Sequence, residues 1–172
     1  MKYYYKFIDE NKTECFLEMD SEFYCERAIF KTQDLLVNTY LTIEKKSCFL
    51  PEGCLKECLK FMNPSSIAEF DTLWNESMKA SESDWNKLKK KYKIGDVVDS
   101  KILCFYPQGV ISNFGEGFNA LSDYESCKEK FGDEHMSLGY IMKLIIAEFD
   151  DTNKIIHLNT NAEHTLPDDF KK

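Results

Sequence analysis

A chain of 172 residues, 43% hydrophobic and 14% aromatic, is long enough for one ordinary domain or two small ones, with ample apolar material to pack a core in each. Its net charge of −8 works against any ligand that is itself a dense anion, because affinity for nucleic acid rests on neutralising phosphates. No apolar run approaches the roughly 20 residues of a membrane helix, so no membrane partner is expected.

The first residues, Met1-Lys2-Tyr3-Tyr4-Tyr5-Lys6, lack the apolar segment and small-residue cleavage site of a signal peptide, and the expected compartment is the cytoplasm. Seven cysteines, Cys15, Cys25, Cys48, Cys54, Cys58, Cys104 and Cys127, are then read as reduced thiols serving as small hydrophobes. From Tyr3 to Leu50 the sequence alternates β-rich runs with polar breaks. Tyr3 to Ile8 is followed by the turn Asp9-Glu10-Asn11-Lys12. Thr13 to Met19 comes next, with Cys15, Leu17 and Met19 alternating with Glu14, Phe16 and Glu18. Phe23 to Lys31, Leu35 to Ile43 and a short Cys48-Phe49-Leu50 complete the series. No helix-length periodic segment interrupts them, so residues 1–63 are expected to form an antiparallel sheet domain.

Pro51 stands where a first helical position belongs, and Cys54, Leu55, Cys58, Leu59 and Met62 recur at helical spacing. This segment is expected to be the helix that covers the sheet. Its cysteines admit two readings, as part of the apolar stripe or, with Cys48, as metal ligands one helical turn apart. No fourth ligand, CxxC or Cys/His cluster accompanies them, and no metal or cofactor is assigned.

Residues 64–92 read as a helical connector. Ser66 with Glu69 three positions on is a capping-box signature, and Ile67, Phe70, Leu73, Trp74 and Met78 line one side of the helix that follows. A second helix starts at Ser83-Asp84, with Trp85, Leu88 and Tyr92 sharing a face. Both tryptophans are read as packing between elements. The second helix ends in the basic cluster Lys87, Lys89, Lys90, Lys91 and Lys93. This cluster is either a solvated face with cations at the helix C-terminus or an electrostatic seat for a phosphate backbone.

Residues 93–160 carry the pattern of a five-stranded barrel. A glycine turn opens a long strand from Ile94 to Phe105, with Val98, Ile102 and Cys104 on one face. Pro107-Gln108-Gly109 is a turn or bulge, Val110 to Phe114 a second strand, and Phe118 to Ser122 a third. Tyr140 to Leu158 supplies a fourth and fifth around the polar turn Asp150 to Asn153, and the segment before Tyr140 is helical or irregular. Residues 161–172 form a polar tail expected to be poorly ordered.

This stretch resembles an S1-type RNA-binding domain, one of the OB folds. The resemblance rests on Ile94-Gly95-Asp96-Val97-Val98, on Gly109 with Val110-Ile111, on Gly115-x-Gly117 and on Leu121-Ser122. The closing hairpin Ala147-x-x-Asp150-x-x-x-Lys154-Ile155-x-x-Leu158 completes it. The resemblance implies a Greek-key barrel with one face that binds single-stranded nucleic acid. It further implies three contacts: an aromatic before the glycine that follows strand one, another two residues beyond that glycine, and a histidine or similar group in strand three. Those positions hold Gln108, Ile111 and Ala120 here. Phe105, Tyr106, Phe118, Tyr124 and Tyr140 are candidate replacement aromatics, and Lys101, Asn113 and Lys143 candidate polar contacts.

The whole chain is thus expected to be mainly β with a few helices. It would comprise an N-terminal antiparallel sheet with a covering helix, two linking helices and a C-terminal five-stranded OB/S1-like barrel. Two functions compete. One is binding of single-stranded RNA as an accessory or regulatory protein. The other is an acidic adaptor or inhibitor that docks on a basic protein partner. From 94 to 160 the sequence has eleven Asp and Glu against five Lys, 5 − 11 = −6, which weighs on the first. Catalysis is not expected. His135, His157 and His164 fall in a loop, a strand and the tail, no nucleophile or phosphate-loop motif surrounds them, and the pairs Asp150-Asp151 and Asp168-Asp169 read as turn and tail. His157 is expected to face outward.

Overall fold

The computed structural model of the protein describes residues 1–43, 46–47 and 49–161. Cys48, His164, the Asp168-Asp169 pair and the tail from residue 162 onward lie outside the described residues. The fold is mainly β with a few helices, in two units, Met1–Glu82 and Ser83–Lys172. The segment read as one connector, 64–92, is divided between them.

In the first unit, two aspartates fold the chain back on itself. Asp9 Oδ1 accepts from the amides of Asn11 and Thr13 at 2.9 and 2.8 Å, and Asp20 Oδ1 from those of Glu22 and Tyr24 at 2.8 and 3.0 Å. Each turn carries one residue in the left-handed region, Lys12 at φ 63° and Phe23 at φ 67°. The Phe23 ring stacks on Tyr3 at 4.9 Å, which helps to hold a bulky residue in that conformation. The strands β1 (Tyr3–Ile8), β2 (Glu14–Met19) and β3 (Cys25–Lys31) therefore lie antiparallel, and β4 (Leu36–Asn38) continues the sheet on β3. The expected run Leu35 to Ile43 breaks after Asn38, whose Oδ1 accepts from the Tyr40 amide at 2.9 Å. Past this turn, β5 (Thr42–Ile43) and β6 (Lys46–Ser47) pair with each other, and β7 (Asn63–Pro64) joins β1, giving the order β4-β3-β2-β1-β7.

The covering helix is not the one beginning at Pro51. Gly53 has φ 77°, a conformation no α-helix accommodates, and the segment yields only a 3₁₀ helix, Lys56–Phe61, with no buried residue. Cys54 and Cys58 are exposed, while Cys15, Cys25 and Cys127 are buried. The cover is α1 (Ile67–Ala80), capped by Ser66 Oγ accepting from the Glu69 amide at 3.1 Å. Only half of the capping box closes, because the Glu69 carboxylate accepts from Lys6 at 2.6 Å and Ser65 Oγ at 2.8 Å.

Helix α1 lies on the sheet face that the β2 alternation marks as polar. Phe16 and Glu18 are as buried as Cys15, Leu17 and Met19. Arg27 makes this possible. Its guanidinium donates to both Glu18 oxygens, Nε at 3.1 Å and Nη2 at 2.5 Å, and lies 5.1 Å from the Phe70 ring centroid and 4.7 Å from that of Trp74. Tyr4 donates to Glu18 at 3.0 Å. Burial, with that carboxylate adding, pushes its hydroxyl pKa up to about 12.

In the second unit, α2 (Glu82–Lys91) precedes β8 (Val97–Tyr106), β9 (Gly109–Asn113) and β10 (Ala120–Ser122). After these come α3 (Tyr124–Phe131), a 3₁₀ turn Asp133–His135, β11 (Ile141–Asp150) and β12 (Ile155–Asn159). The five strands close into a barrel of order β10-β12-β11-β8-β9, with β9 pairing back to β10, as the OB resemblance implies. Gly109 makes the closure possible: a Cβ there would lie 2.4 Å from the Ser122 carbonyl oxygen. Trp85 of α2 is fully buried against Phe118 and Phe149, at 5.0 and 5.9 Å between centroids, and donates Nε1 to Asp151 at 2.6 Å. On α3, Cys127 donates its thiol to Ser122 Oγ at 3.4 Å. No helix among the described residues is long and apolar enough to cross a membrane.

Breaking the pair beneath α1 leaves a buried charge. Arg27→Leu is expected to cost about 3–5 kcal/mol, whereas Glu18→Leu combined with Arg27→Leu recovers most of the loss. Urea denaturation of the three proteins measures both.

Candidate nucleic-acid interface

Strand pairing decides which residues the barrel presents. Val98, Ser100 and Ile102 on β8 and Met142, Leu144 and Ile146 on β11 are buried at alternate positions and fill the interior. Ile102 pairs with Ser112, Ser112 with Ala120 and Ala120 with Ile156, so this row also points inward, and Ser100 Oγ donates to Ser112 Oγ at 2.8 Å. The alternate row, Cys104, Ile111, Leu121 and His157, points outward from the strands through which OB barrels hold single strands.

Three of the four have almost no surface to offer a ligand: Ile111 is 0% exposed and Leu121 and His157 are 5%, while Cys104 is half-buried. The position where the resemblance implies a stacking ring is thus a buried aliphatic. Ala120 belongs to the interior and is equally closed off. Tyr106 and Phe118 are core residues, not surface contacts. Tyr106 is buried at the end of β8, and Phe118 is held under Trp85. Gln108 is half-buried in the hairpin between β8 and β9. The Asn113 amide is committed to its own loop, donating to the Phe118 carbonyl at 2.8 Å and accepting from the Gly115 amide at 2.6 Å. Three of the named positions are exposed. Phe105 has its ring edge-on to Tyr124 at 5.7 Å, and Lys101 and Lys143 are open to solvent, Lys143 lying 3.6 Å from Asp99. The Tyr140 ring lies tilted against His135, with 4.7 Å between centroids.

The lysine cluster on α2 is largely neutralised by its own unit. Lys87 pairs with Asp84 at 2.6 Å, Lys89 with Asp151 at 2.5 Å and Lys91 with Glu116 at 2.6 Å. Lys93 donates to the Lys89 carbonyl at 3.3 Å, a cation on the C-terminal end of the helix, and Lys90 is exposed. Glu116 and Asp151 serve α2 twice, since each also accepts from an aromatic of the same segment, Tyr92 at 2.7 Å and Trp85 at 2.6 Å. Hydrogen bonds from Lys91 and Lys89 first, then from those aromatics, hold the two carboxyls below the usual carboxylate range. The cluster thus fastens α2 in place and offers few unpaired cations to phosphates.

His157, read as surface-facing, is buried. Its alternation with Ile156 and Leu158 is real, but both faces of β12 are covered. Burial holds its imidazole below the ordinary range, against the upward pull of Asp150 and Glu148. A feature that sequence reasoning passed over lies on the other side of the barrel. The outer positions of β8 and β11 include exposed Val97 and Ile141, with Ile94 and Leu138 exposed just before each strand. The signal was present in apolar residues of both parities, Val97 beside Val98 and Ile141 beside Met142, which marks a strand with an apolar outer face as well as a core face.

No family model matches the chain, and no curated protein matches its sequence. Among solved structures it is similar to the solution structure of GSP13 from Bacillus subtilis, at 18% identity over 46% of this chain and 69% of that one, with a TM-score of 0.34.

His157 supplies a pH dependence of stability. Its folded pKa lies below the unfolded value near 6.5, so the unfolded chain binds the proton more readily. Its contribution is complete above that value and is lost as pH falls below it, with a slope of up to about 1.4 kcal/mol per pH unit. Urea midpoints at about pH 7.5 and pH 5.5 are expected to differ more for the wild type than for His157→Gln.

Proposed function

We propose that the protein acts through protein contacts, as an acidic adaptor or inhibitor that uses an OB scaffold without gripping RNA, and that its partner carries a basic surface. The observation that carries this reading is the closed outer row Ile111, Leu121 and His157, where a single-strand binder needs exposed rings. The paired lysines of α2 support it, as does the excess of eleven acids over five lysines between 94 and 160. A charge of −8 speeds encounter with a basic partner and repels nucleic acid.

A second reading keeps single-stranded RNA as the ligand, and one observation favours it: Phe105 is 40% exposed, with Tyr124 against it, on the same strand as exposed Lys101. Base stacking on such a ring is worth about 1–3 kcal/mol. Fluorescence anisotropy with short single-stranded RNA at low ionic strength separates the readings. No saturable binding is expected. Binding that weakens with salt and falls about tenfold or more in Phe105→Ala would establish the RNA reading instead.

A further inference from the structure

The outer face of β8 and β11 has no role in that reading, and it has an internal symmetry. Three cross-strand pairs run along it: Val97 with Ile145, Asp99 with Lys143, and Lys101 with Ile141. Val97 is 58% exposed and Ile141 60%, and the strip is extended at its ends by Ile94 and Leu138. Asp99 and Lys143 in the middle are each about two-thirds exposed, at 65% and 71% of their side chains. Along the strip β8 and β11 pair with each other, and their pairing with β9 and β12 begins at Lys101 and Ile145, so what the strip offers is a two-stranded face.

We propose that this face binds a second copy of the same chain. A two-fold axis parallel to the strands, lying between two such faces, places β8 of one copy over β11 of the other. Each residue then meets the residue type with which it is already paired: Val97 the second copy's Ile145, Asp99 its Lys143, and the Lys101 stem its Ile141. The central charges alternate in sign across the contact, and the apolar ends close on one another at the ~10 Å spacing of packed sheets. The strip is also suited to self-contact on a chain of charge −8, because its two lysines, Lys101 and Lys143, outnumber its one carboxylate, Asp99.

Sedimentation velocity of the full chain over a concentration series tests the proposal, with circular dichroism confirming that each variant is folded. The wild type is expected to form dimers reversibly. Ile141→Lys is expected to raise the dissociation constant about tenfold or more, and Asp99→Lys to do the same by setting lysine against lysine. Asp99→Lys combined with Lys143→Asp is expected to restore dimerisation, since the exchange preserves the alternation. A wild type that stays monomeric up to on the order of 1 mM overturns the proposal. So does a dimer insensitive to Ile141→Lys, or an exchanged pair that does not recover.

Discussion

Closure of β8 to β12 into a ring fixes the direction of every side chain in the second unit. In an open sheet a strand can slip, whereas in this barrel each strand is hydrogen-bonded on both sides, and a shift of one residue would turn a whole row from core to solvent. One close approach in that ring is at Gly109, where the β8–β9 hairpin runs against the end of β10 and leaves no room for a side chain. With the register held, the small interior residues Ser100, Ser112, Ala120 and Ser122 allow the walls to close, and Trp85 and Cys127 pack against the barrel from α2 and α3. The same register turns Ala120 into the interior and Ile111 outward, where it is buried all the same.

The first unit meets a different constraint. A helix laid over a sheet buries whatever the sheet offers, and here that includes a carboxylate. Glu18 is tolerated because Arg27 donates to both its oxygens, Tyr4 adds a third donor, and Phe70 and Trp74 lie against the guanidinium. Asn38, donating to Ser77 Oγ at 2.7 Å, ties the opposite edge of the sheet to the same helix. These polar contacts fix where α1 sits along the sheet, which apolar contact alone specifies less sharply.

Much of the barrel could be read from the sequence because its signals are local: glycine at the tight turns, two-residue alternation along the strands, and polar residues Asp150 to Asn153 between the last two strands. The turn at Asp9 was equally plain. The cover of the first sheet was not, because the residues from Pro51 to Met62 have helical spacing while Gly53 takes a backbone conformation that no spacing rule reveals. The accessibility of the candidate binding positions was hidden for another reason. Whether Ile111, Phe118 or His157 is accessible depends on what packs over it from elsewhere in the fold, and β12 shows that alternation is uninformative when both faces of a strand are covered. Lysines at the end of α2 likewise looked available until Asp151 and Glu116, some 62 and 25 residues away in the chain, were found beside them.

The two tryptophans of the chain fall one to each unit, Trp74 beneath the Arg27 guanidinium and Trp85 against a pair of phenylalanines. Each indole is thus an optical reporter with its own surroundings, quenched or shifted by different neighbours. Emission spectra collected through a melt can therefore resolve whether the halves come apart together or in succession, with no label attached.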